Sequence, residues 1–204
     1  MTDKEYLKLT SGFCDIKQLI LREQELKKEY NKARKKLKTK ELRYSFLKDI
    51  VGIDINADDL VIAVVKLFKA FEFDKVENLE KLKNEDLRIW FENKLILVEI
   101  TGVKKIALDD DKSHSISKHI NINKELNKNH DVTGLTIVNH DNKKHFTQRN
   151  KSPFRPLLDD IGKANKYSLI TTDILLKLFI EYKQNLLTKQ DIINILTSGG
   201  VIKK

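Results

Sequence analysis

The chain has 204 residues, 40% of them hydrophobic, which suffices for one sizeable core with an appendage and is short for two complete domains. Its single cysteine, Cys14, excludes an internal disulfide. No stretch of the sequence approaches the roughly 20 apolar residues of a membrane span, and the first residues lack the layout of a secretory signal. We therefore expect a cytoplasmic protein with no membrane contact.

The net charge of +9 is distributed unevenly along the chain. Eleven Lys or Arg and four Glu lie between Arg22 and Lys48, which gives +7, and residues 49 to 204 carry only +2. Nucleic acid is the partner class that such a basic segment favours. The residues that we expect to contact phosphate there are Arg34, Lys35, Lys36, Lys38, Lys40 and Arg43.

The same basic segment is predicted to be helical, because neither Gly nor Pro occurs between Asp15 and Val51 and apolar residues recur at steps of three and four. A heptad assignment gives a largely apolar seam of Leu19, Glu23, Leu26, Tyr30, Ala33, Leu37, Lys40, Tyr44, Leu47 and Val51. Such a seam favours a coiled coil with a protein partner or with a second copy of the chain. The alternative is a solvated basic helix that lies on its own domain.

A second helix is predicted from about Ala57. Gly52 interrupts the preceding pattern, and Asn56 can cap a helix with Asp58 and Asp59 in its first turn, where the helix dipole favours acids. The residues that follow are apolar nearly all round, which predicts a helix buried in the core.

Strand patterns follow this helix, and helical patterns separate the later ones. The predicted strands are FEFDKV, DLRIWF, LILVEIT, GLTIVNH and SLITT. Thr172 is expected to cap one C-terminal helix, and a capping box at Thr188 is expected to open another. This order predicts an α/β domain with a mixed central sheet flanked by helices.

The segments on either side of Glu92 and Asn93 predict a β-hairpin with a two-residue turn, in which Asn93 tolerates a positive φ. This register places Asp86 directly opposite Glu99. One face then holds a continuous apolar layer of Leu87, Ile89, Phe91, Ile96, Val98 and Ile100. A slip of one residue would bury the charges, so the pattern favours this register.

Two carboxylates opposed across strands, with Cβ atoms about 5 Å apart, repel each other unless a cation intervenes. Mg²⁺ accepts such ligands, so Asp86 and Glu99 are candidate metal ligands. The alternative is ordinary neutralisation of Glu99 by the diagonal neighbour Arg88.

The order of elements and these residues resemble the restriction-endonuclease-like, or PD-(D/E)xK, nucleases, over roughly residues 44 to 182. Asp86 matches the first acid of the motif, and Glu99-Ile100-Thr101-Gly102 matches Glu-x-Lys-Gly. The resemblance implies a Mg²⁺-dependent phosphodiesterase in which the motif lysine helps to activate water.

Thr101 stands in place of that lysine, and its hydroxyl cannot supply a positive charge. The buried helix reads Leu60-Val61-Ile62 where many members carry a glutamate. Lys104 or Lys105 is the candidate for a migrated lysine.

Other polar residues give weaker signals. The five histidines match no standard zinc-ligand spacing, so no zinc site is expected. Arg149, which follows a predicted strand near the hairpin site, is a candidate phosphate contact, although a solvated loop residue fits the same pattern.

The sequence thus predicts a helical arm (residues 1–48), a restriction-endonuclease-like domain (49–182) and a C-terminal helical extension (183–204). The leading hypothesis is a catalytically degenerate subunit that binds nucleic acid, DNA in preference, within a nucleic-acid-processing or bacterial defence complex. One alternative is an active Mg²⁺-dependent endonuclease that uses Asp86, Glu99 and Lys104 or Lys105. A second is a protein-interaction scaffold without nucleic acid.

Overall fold

The computed structural model describes residues 2–79, 85–103 and 110–203, and the chain divides into two units, Met1–Ser45 and Phe46–Lys204. The first unit is a single long helix, α1 (Asp3–Arg43). A capping box formed by Thr2 and Glu5 opens it, and the basic residues Lys40 and Arg43 lie in its last turn, where they complement the helix dipole. The helical arm is therefore confirmed.

The heptad seam does not continue beyond α1. The backbone turns after Arg43 and forms a short helix, α2 (Leu47–Ile50), in the second unit. Phe46 and Ile50 are buried there, although neither belongs to the predicted seam. These two buried side chains hold α2 in the core of the second unit.

The second unit contains a six-stranded sheet and five longer helices among its described residues. The order along the chain is α3 (Ala57–Ala70), β1 (Lys75–Asn78), β2 (Leu87–Phe91), β3 (Lys94–Gly102), α4 (Asp110–Leu126), β4 (Asp131–Asn139), α5 (Pro156–Ala164), β5 (Tyr167–Thr171), α6 (Thr172–Lys183), α7 (Lys189–Leu196) and β6 (Gly200–Val201). The strands lie in the order β1-β2-β3-β4-β5-β6. Pairs β1–β2 and β2–β3 are antiparallel and the remaining pairs are parallel, so the predicted mixed sheet is confirmed.

Helix α3 begins as its cap predicted, because the Asn56 side chain accepts a hydrogen bond from the Asp59 N–H at 2.7 Å. Most of its apolar residues are buried, and Phe68 makes aromatic contacts with Phe71 and Phe73. An edge-to-face contact between Phe71 and Phe179, with ring centroids 5.2 Å apart, joins the end of α3 to α6. Helices α3 and α6 thus cover one face of the sheet.

Helices α4 and α5 cover the opposite face. A buried cluster there contains Ile116 and Ile120 of α4, Leu158 of α5 and residues of strands β3, β4 and β5. Gly134 lies under α4, where an added Cβ would come within 2.7 Å of Ile116, so a larger residue would displace the helix. The sheet is consequently buried on both faces, as parallel strands require.

The predicted hairpin register is confirmed, since Leu87 pairs with Val98 and Phe91 with Lys94. The predicted apolar layer is buried except for Ile100, which is half-buried. The positive φ in the turn is 51° at Glu92, whereas the sequence pattern placed it at Asn93. The Glu92 N–H donates to the Asp74 carboxylate at 2.9 Å, which helps to hold the turn.

Residues 183–204 belong to the second unit. The capping box at Thr188 is present, with Asp191 as its acidic partner, and it opens α7 as predicted. The chain then forms β6, a strand that the sequence did not predict, and β6 extends the sheet beside β5. No helix in the described part of the chain has the length and apolarity needed to cross a membrane.

Candidate functional site

Asp86 and Glu99 lie on neighbouring strands of the hairpin. Asp86 directly precedes β2, and its N–H donates to the carbonyl of Val98, the register partner of Leu87, at 3.0 Å. The Asp86 Oδ2 atom accepts a hydrogen bond from the Ile100 N–H at 2.6 Å. The carboxylate of Asp86 therefore lies against the backbone of β3, one residue from Glu99.

Glu85, which the sequence analysis did not single out, is a buried acid beside this pair. Its side chain is 1% exposed. Arg88 Nε donates to Glu85 Oε1, and the ring atom Nδ1 of His119 lies 3.6 Å from Glu85 Oε2. A buried carboxylate is tolerated when cations and donors surround it, and Arg88 and His119 provide that environment.

His119 lies between two carboxylates. Its second ring nitrogen, Nε2, is 3.6 Å from Glu99 Oε1, so the imidazole faces Glu85 on one side and Glu99 on the other. Both distances exceed a hydrogen bond, so the interaction is an ion pair when the ring is protonated. Glu85, Arg88, His119 and Glu99 form a continuous polar cluster that links α4 to the hairpin.

Sequence reasoning missed this cluster because α4 places His119 against residues that are distant in the chain. The adjacent acids Glu85 and Asp86 and the apolar positions Ile116 and Ile120 were visible signals. Ile116 and Ile120 mark the face of α4 that packs on the sheet, and His119 lies at the same helical spacing.

Thr101 occupies the position where the resemblance expects a lysine. It is 6% exposed and shares a strand face with Glu99. Val61 occupies the position in α3 where the resemblance expects a glutamate, and it is buried. The alternative lysines Lys104 and Lys105 lie outside the described residues.

The carboxylates of Asp86 and Glu99 fit Mg²⁺ in ligand type, because Mg²⁺ takes hard oxygen ligands. Across residues 2–79, 85–103 and 110–203, however, no set of three or more His, Cys, Asp or Glu side chains is arranged to hold a metal ion. One oxygen of Asp86 already accepts a backbone hydrogen bond.

Arg149 is buried and hydrogen-bonded within the protein, whereas an arginine that binds phosphate must expose its guanidinium. It is 5% exposed, and its guanidinium donates to Asn139 Oδ1 at 2.5 Å and to the Val51 and Gly52 carbonyls at 3.0 and 3.1 Å. Burial lowers its pKa below the ordinary value, and the nearby Asp173 and Asp141 partly offset that effect. Arg149 thus joins the loop after β4 to residues 51–52, and we do not retain it as a phosphate contact.

The basic residues of α1 are exposed. Arg34, Lys35, Lys36, Lys38, Lys40 and Arg43 all have solvent-accessible side chains. The ion pairs described within α1, Arg22–Glu25 and Lys27–Glu23, lie in the part of the helix that precedes these residues.

The fold is similar to that of solved restriction endonucleases. The structure matches the restriction endonuclease FokI with a TM-score of 0.53 and 15% sequence identity over 78% of this chain. It matches FokI bound to DNA with a TM-score of 0.56 and 12% sequence identity over 79% of this chain. In both cases it covers 30% of the FokI chain. It also matches the small subunit R.BspD6I2 of the heterodimeric restriction endonuclease R.BspD6I, with 0.53 and 15% identity over 76% of this chain and 86% of that one.

The predicted restriction-endonuclease-like fold is therefore confirmed, and at these identities the likeness concerns the fold alone. No family model matches the sequence, and no curated protein matches it.

Proposed function

We propose that this chain, which has the restriction-endonuclease-like fold, is a nucleic-acid-binding subunit that has lost the cleavage chemistry of its fold. It would act within a nucleic-acid-processing or defence complex, with DNA as the preferred ligand. The observation that carries the proposal is the buried Thr101 hydroxyl, on the same strand face as Glu99, where the chemistry requires a cation.

Cleavage of a phosphodiester builds negative charge on the phosphoryl oxygens, and a nuclease must place positive charge beside them. A neutral hydroxyl contributes a hydrogen bond at that position and no charge. Of the described residues beside the hairpin acids, Arg88 donates to the buried Glu85, and His119 lies 3.6 Å from an oxygen of Glu85 and 3.6 Å from an oxygen of Glu99. This arrangement supports a structural role for both residues.

Binding to the phosphate backbone is assigned to α1. Six exposed basic residues between Arg34 and Arg43 form a segment of high positive charge density, and the second unit is nearly balanced in charge. The fold's similarity to FokI, whose structure was also determined bound to DNA, supports DNA as the ligand class.

The apolar seam of α1 is assigned to a protein partner. Leu19, Leu26, Tyr30 and Leu37 are all exposed in this helix. The strong positive charge of α1 disfavours its pairing with a second copy and favours a less basic helix of a different subunit. The small subunit of a heterodimeric enzyme among the similar structures supports this choice.

A nuclease assay tests the loss of cleavage. The full chain is incubated with Mg²⁺ or Mn²⁺ and with double-stranded DNA, single-stranded DNA and RNA, beside Glu99→Ala and a control, Glu92→Ala, which alters an exposed carboxylate in the hairpin turn. We expect no cleavage above background by any of the three proteins. Cleavage by the wild type and by Glu92→Ala that disappears in Glu99→Ala would overturn the proposal.

That opposite result would establish the second candidate function, an active endonuclease. It is supported by the hairpin register, which pairs Leu87 with Val98 next to Asp86 and Glu99. Lys104→Ala and Lys105→Ala would then identify the lysine: loss of cleavage in one of them, with folding retained, assigns the migrated residue.

A salt titration tests the role of α1. Replacing Arg34, Lys35 and Lys36 by Gln should weaken DNA binding and lower the salt dependence of the affinity by about one unit of slope for each phosphate contact removed. A triple change of exposed lysines in the second unit, Lys118, Lys124 and Lys128 to Gln, matches the loss of charge. Equal losses in the two triple variants would contradict the assignment to α1.

A further inference from the structure

A cavity of about 390 Å³ lies at the carboxyl ends of β5 and β6, away from the hairpin. Thr171, the last residue of β5, lines it together with the segment Val201–Lys203. The loop Lys151–Pro156, which leads into α5, forms another wall. The cavity falls in the size range of small-ligand sites, about 300–1,000 Å³.

Three cations line this cavity, namely Lys151, Arg155 and Lys203. Among the described residues that line the cavity, Asp159 is the only acid, and its carboxylate is engaged by other groups. Its Oδ2 accepts from Lys163 at 2.8 Å and its Oδ1 from the Val201 N–H at 2.6 Å. The lining therefore has a positive balance and suits an anionic ligand.

Thr171 supplies an unused polar group. It is 1% exposed, and its Oγ1 atom has no hydrogen-bond partner among the described residues. It also occupies the N-cap position of α6, yet its side chain makes no capping hydrogen bond. A buried hydroxyl without a partner costs stability, and a rotation of the Thr171 side chain would turn it toward a ligand in the cavity.

The first turns of two helices also face the cavity. Thr171 and Ile174 belong to the start of α6, and Arg155 and Pro156 to the start of α5; all four line the cavity. Helix N-termini carry free N–H groups and a positive dipole end, which favour phosphate. Helices α5 and α6 cover opposite faces of the sheet. The segments that lead into these helices therefore diverge and leave a crevice at the strand ends, which is the usual ligand position in open α/β sheets.

We infer that this cavity is a binding site for the 5′-phosphate of a nucleotide. The three cations hold the phosphate, a rotation of the Thr171 side chain adds its hydroxyl, and Pro153, Phe154, Val201 and Ile202 form an apolar wall for the base or sugar. The phosphate comes from a free nucleotide or from the terminal nucleotide of a strand. The inference is independent of whether the hairpin acids cleave DNA and of what α1 binds.

Calorimetric titration of the full chain with adenosine 5′-monophosphate, with adenosine and with inorganic phosphate tests the site. We expect saturable binding of the monophosphate, binding of adenosine at least about tenfold weaker, and competition by inorganic phosphate. A monophosphate that binds no more tightly than adenosine would overturn the inference.

Two variants locate the site. Lys151→Gln with Arg155→Gln should weaken binding of the monophosphate by about tenfold or more, and a charge-matched control, Lys124→Gln with Lys128→Gln at the other end of β4, should leave it within about twofold. Thr171→Val should weaken binding by about threefold without lowering the melting temperature, because the hydroxyl has no internal partner to lose. Unchanged binding in both the Lys151/Arg155 and Thr171 variants would overturn the assignment to this cavity.

Short oligonucleotides distinguish the two sources of the phosphate. A 5′-phosphorylated tetranucleotide that binds more tightly than the monophosphate, and more tightly than its 5′-hydroxyl counterpart, supports a strand end as the ligand. Equal binding of the two tetranucleotides, with the monophosphate still bound in the cavity, supports a free nucleotide.

Discussion

Both units of this protein are rich in charged residues. The first unit exposes them, whereas the second unit buries several of them. In α1 the basic residues and the apolar seam are exposed along the helix. In the second unit the informative charges are buried: Arg149 is bonded to backbone carbonyls, and Glu85 lies between Arg88 and His119. A count of charges thus describes exposed groups in α1, whereas in the second unit it mixes surface charge with charge that holds the fold together.

The largest expected difference between the two units concerns apolar truncation. Phe68→Ala removes a fully buried ring that contacts Phe71 and Phe73, and it should lower the free energy of unfolding by about 3–5 kcal/mol. Leu26→Ala in α1, where Leu26 is 49% exposed, should change it by about 0.5 kcal/mol or less. Chemical denaturation of the full chain measures both, and a comparable cost for Leu26→Ala would show that the seam is buried in solution.

The second-largest expected difference between the two units concerns the replacement of an arginine. Arg149→Ala removes the donor of the Val51 and Gly52 carbonyls, while Asn139 keeps the Thr172 hydroxyl as a donor, so we expect a loss of about 3 kcal/mol in stability. Arg34→Ala should be neutral in stability and should weaken DNA binding. If Arg149→Ala kept its stability and lost DNA affinity instead, Arg149 would be a phosphate contact after all.

Replacement of Asp86 should have a smaller effect on stability, and it tests whether this side chain has a structural role. Asp86→Ala removes the acceptor of the Ile100 N–H and should cost about 1 kcal/mol, whereas Asp86→Asn keeps an acceptor oxygen and should cost less. Thermal unfolding of the two variants checks the order. A larger cost for Asn than for Ala would contradict the hydrogen-bonding role.

The pH dependence of stability gives the smallest of these effects. A hydrogen bond from the Asn150 N–H to Asp141, assisted by Lys144, lowers the pKa of Asp141 below its ordinary value. The folded state therefore gains stability from Asp141 above the unfolded pKa of about 4 and loses it as the pH falls through the folded pKa. The stability gap between wild type and Asp141→Asn should be largest near neutral pH and should narrow in acid.

Asp131→Asn, which changes an exposed carboxylate, controls for the altered net charge in that series. A gap between wild type and Asp141→Asn that stays constant down to about pH 3 would show that Asp141 has no preferential stabilisation in the folded state.

Local patterns predicted the parts of the fold that short-range physics determines. The alternation of apolar residues fixed the hairpin register because a slip would bury charged side chains. Asn56 and Thr188 marked the starts of α3 and α7, since a cap requires only neighbouring residues. Strand β6 was missed because two residues, Gly200 and Val201, carry no periodicity.

The parts of the site that depend on distant contacts were not predictable in this way. His119 meets Glu85 only because α4 packs on the sheet, and Arg149 looked like a solvated loop residue until its carbonyl partners at residues 51–52 were placed. The cavity beside Thr171 is assembled from a loop, two helix starts and a strand end. No single window of sequence contains enough of these groups to indicate a ligand.

The length of α1 sets a scale for whatever assembles on it. At 1.5 Å per residue, its 41 residues extend for about 60 Å. Molecules bound near its two ends are held that distance apart, which equals about 18 base pairs of DNA at 3.4 Å each. In the proposed complex the helix would set this spacing, and a footprinting experiment should register separations of up to nearly two turns of the double helix.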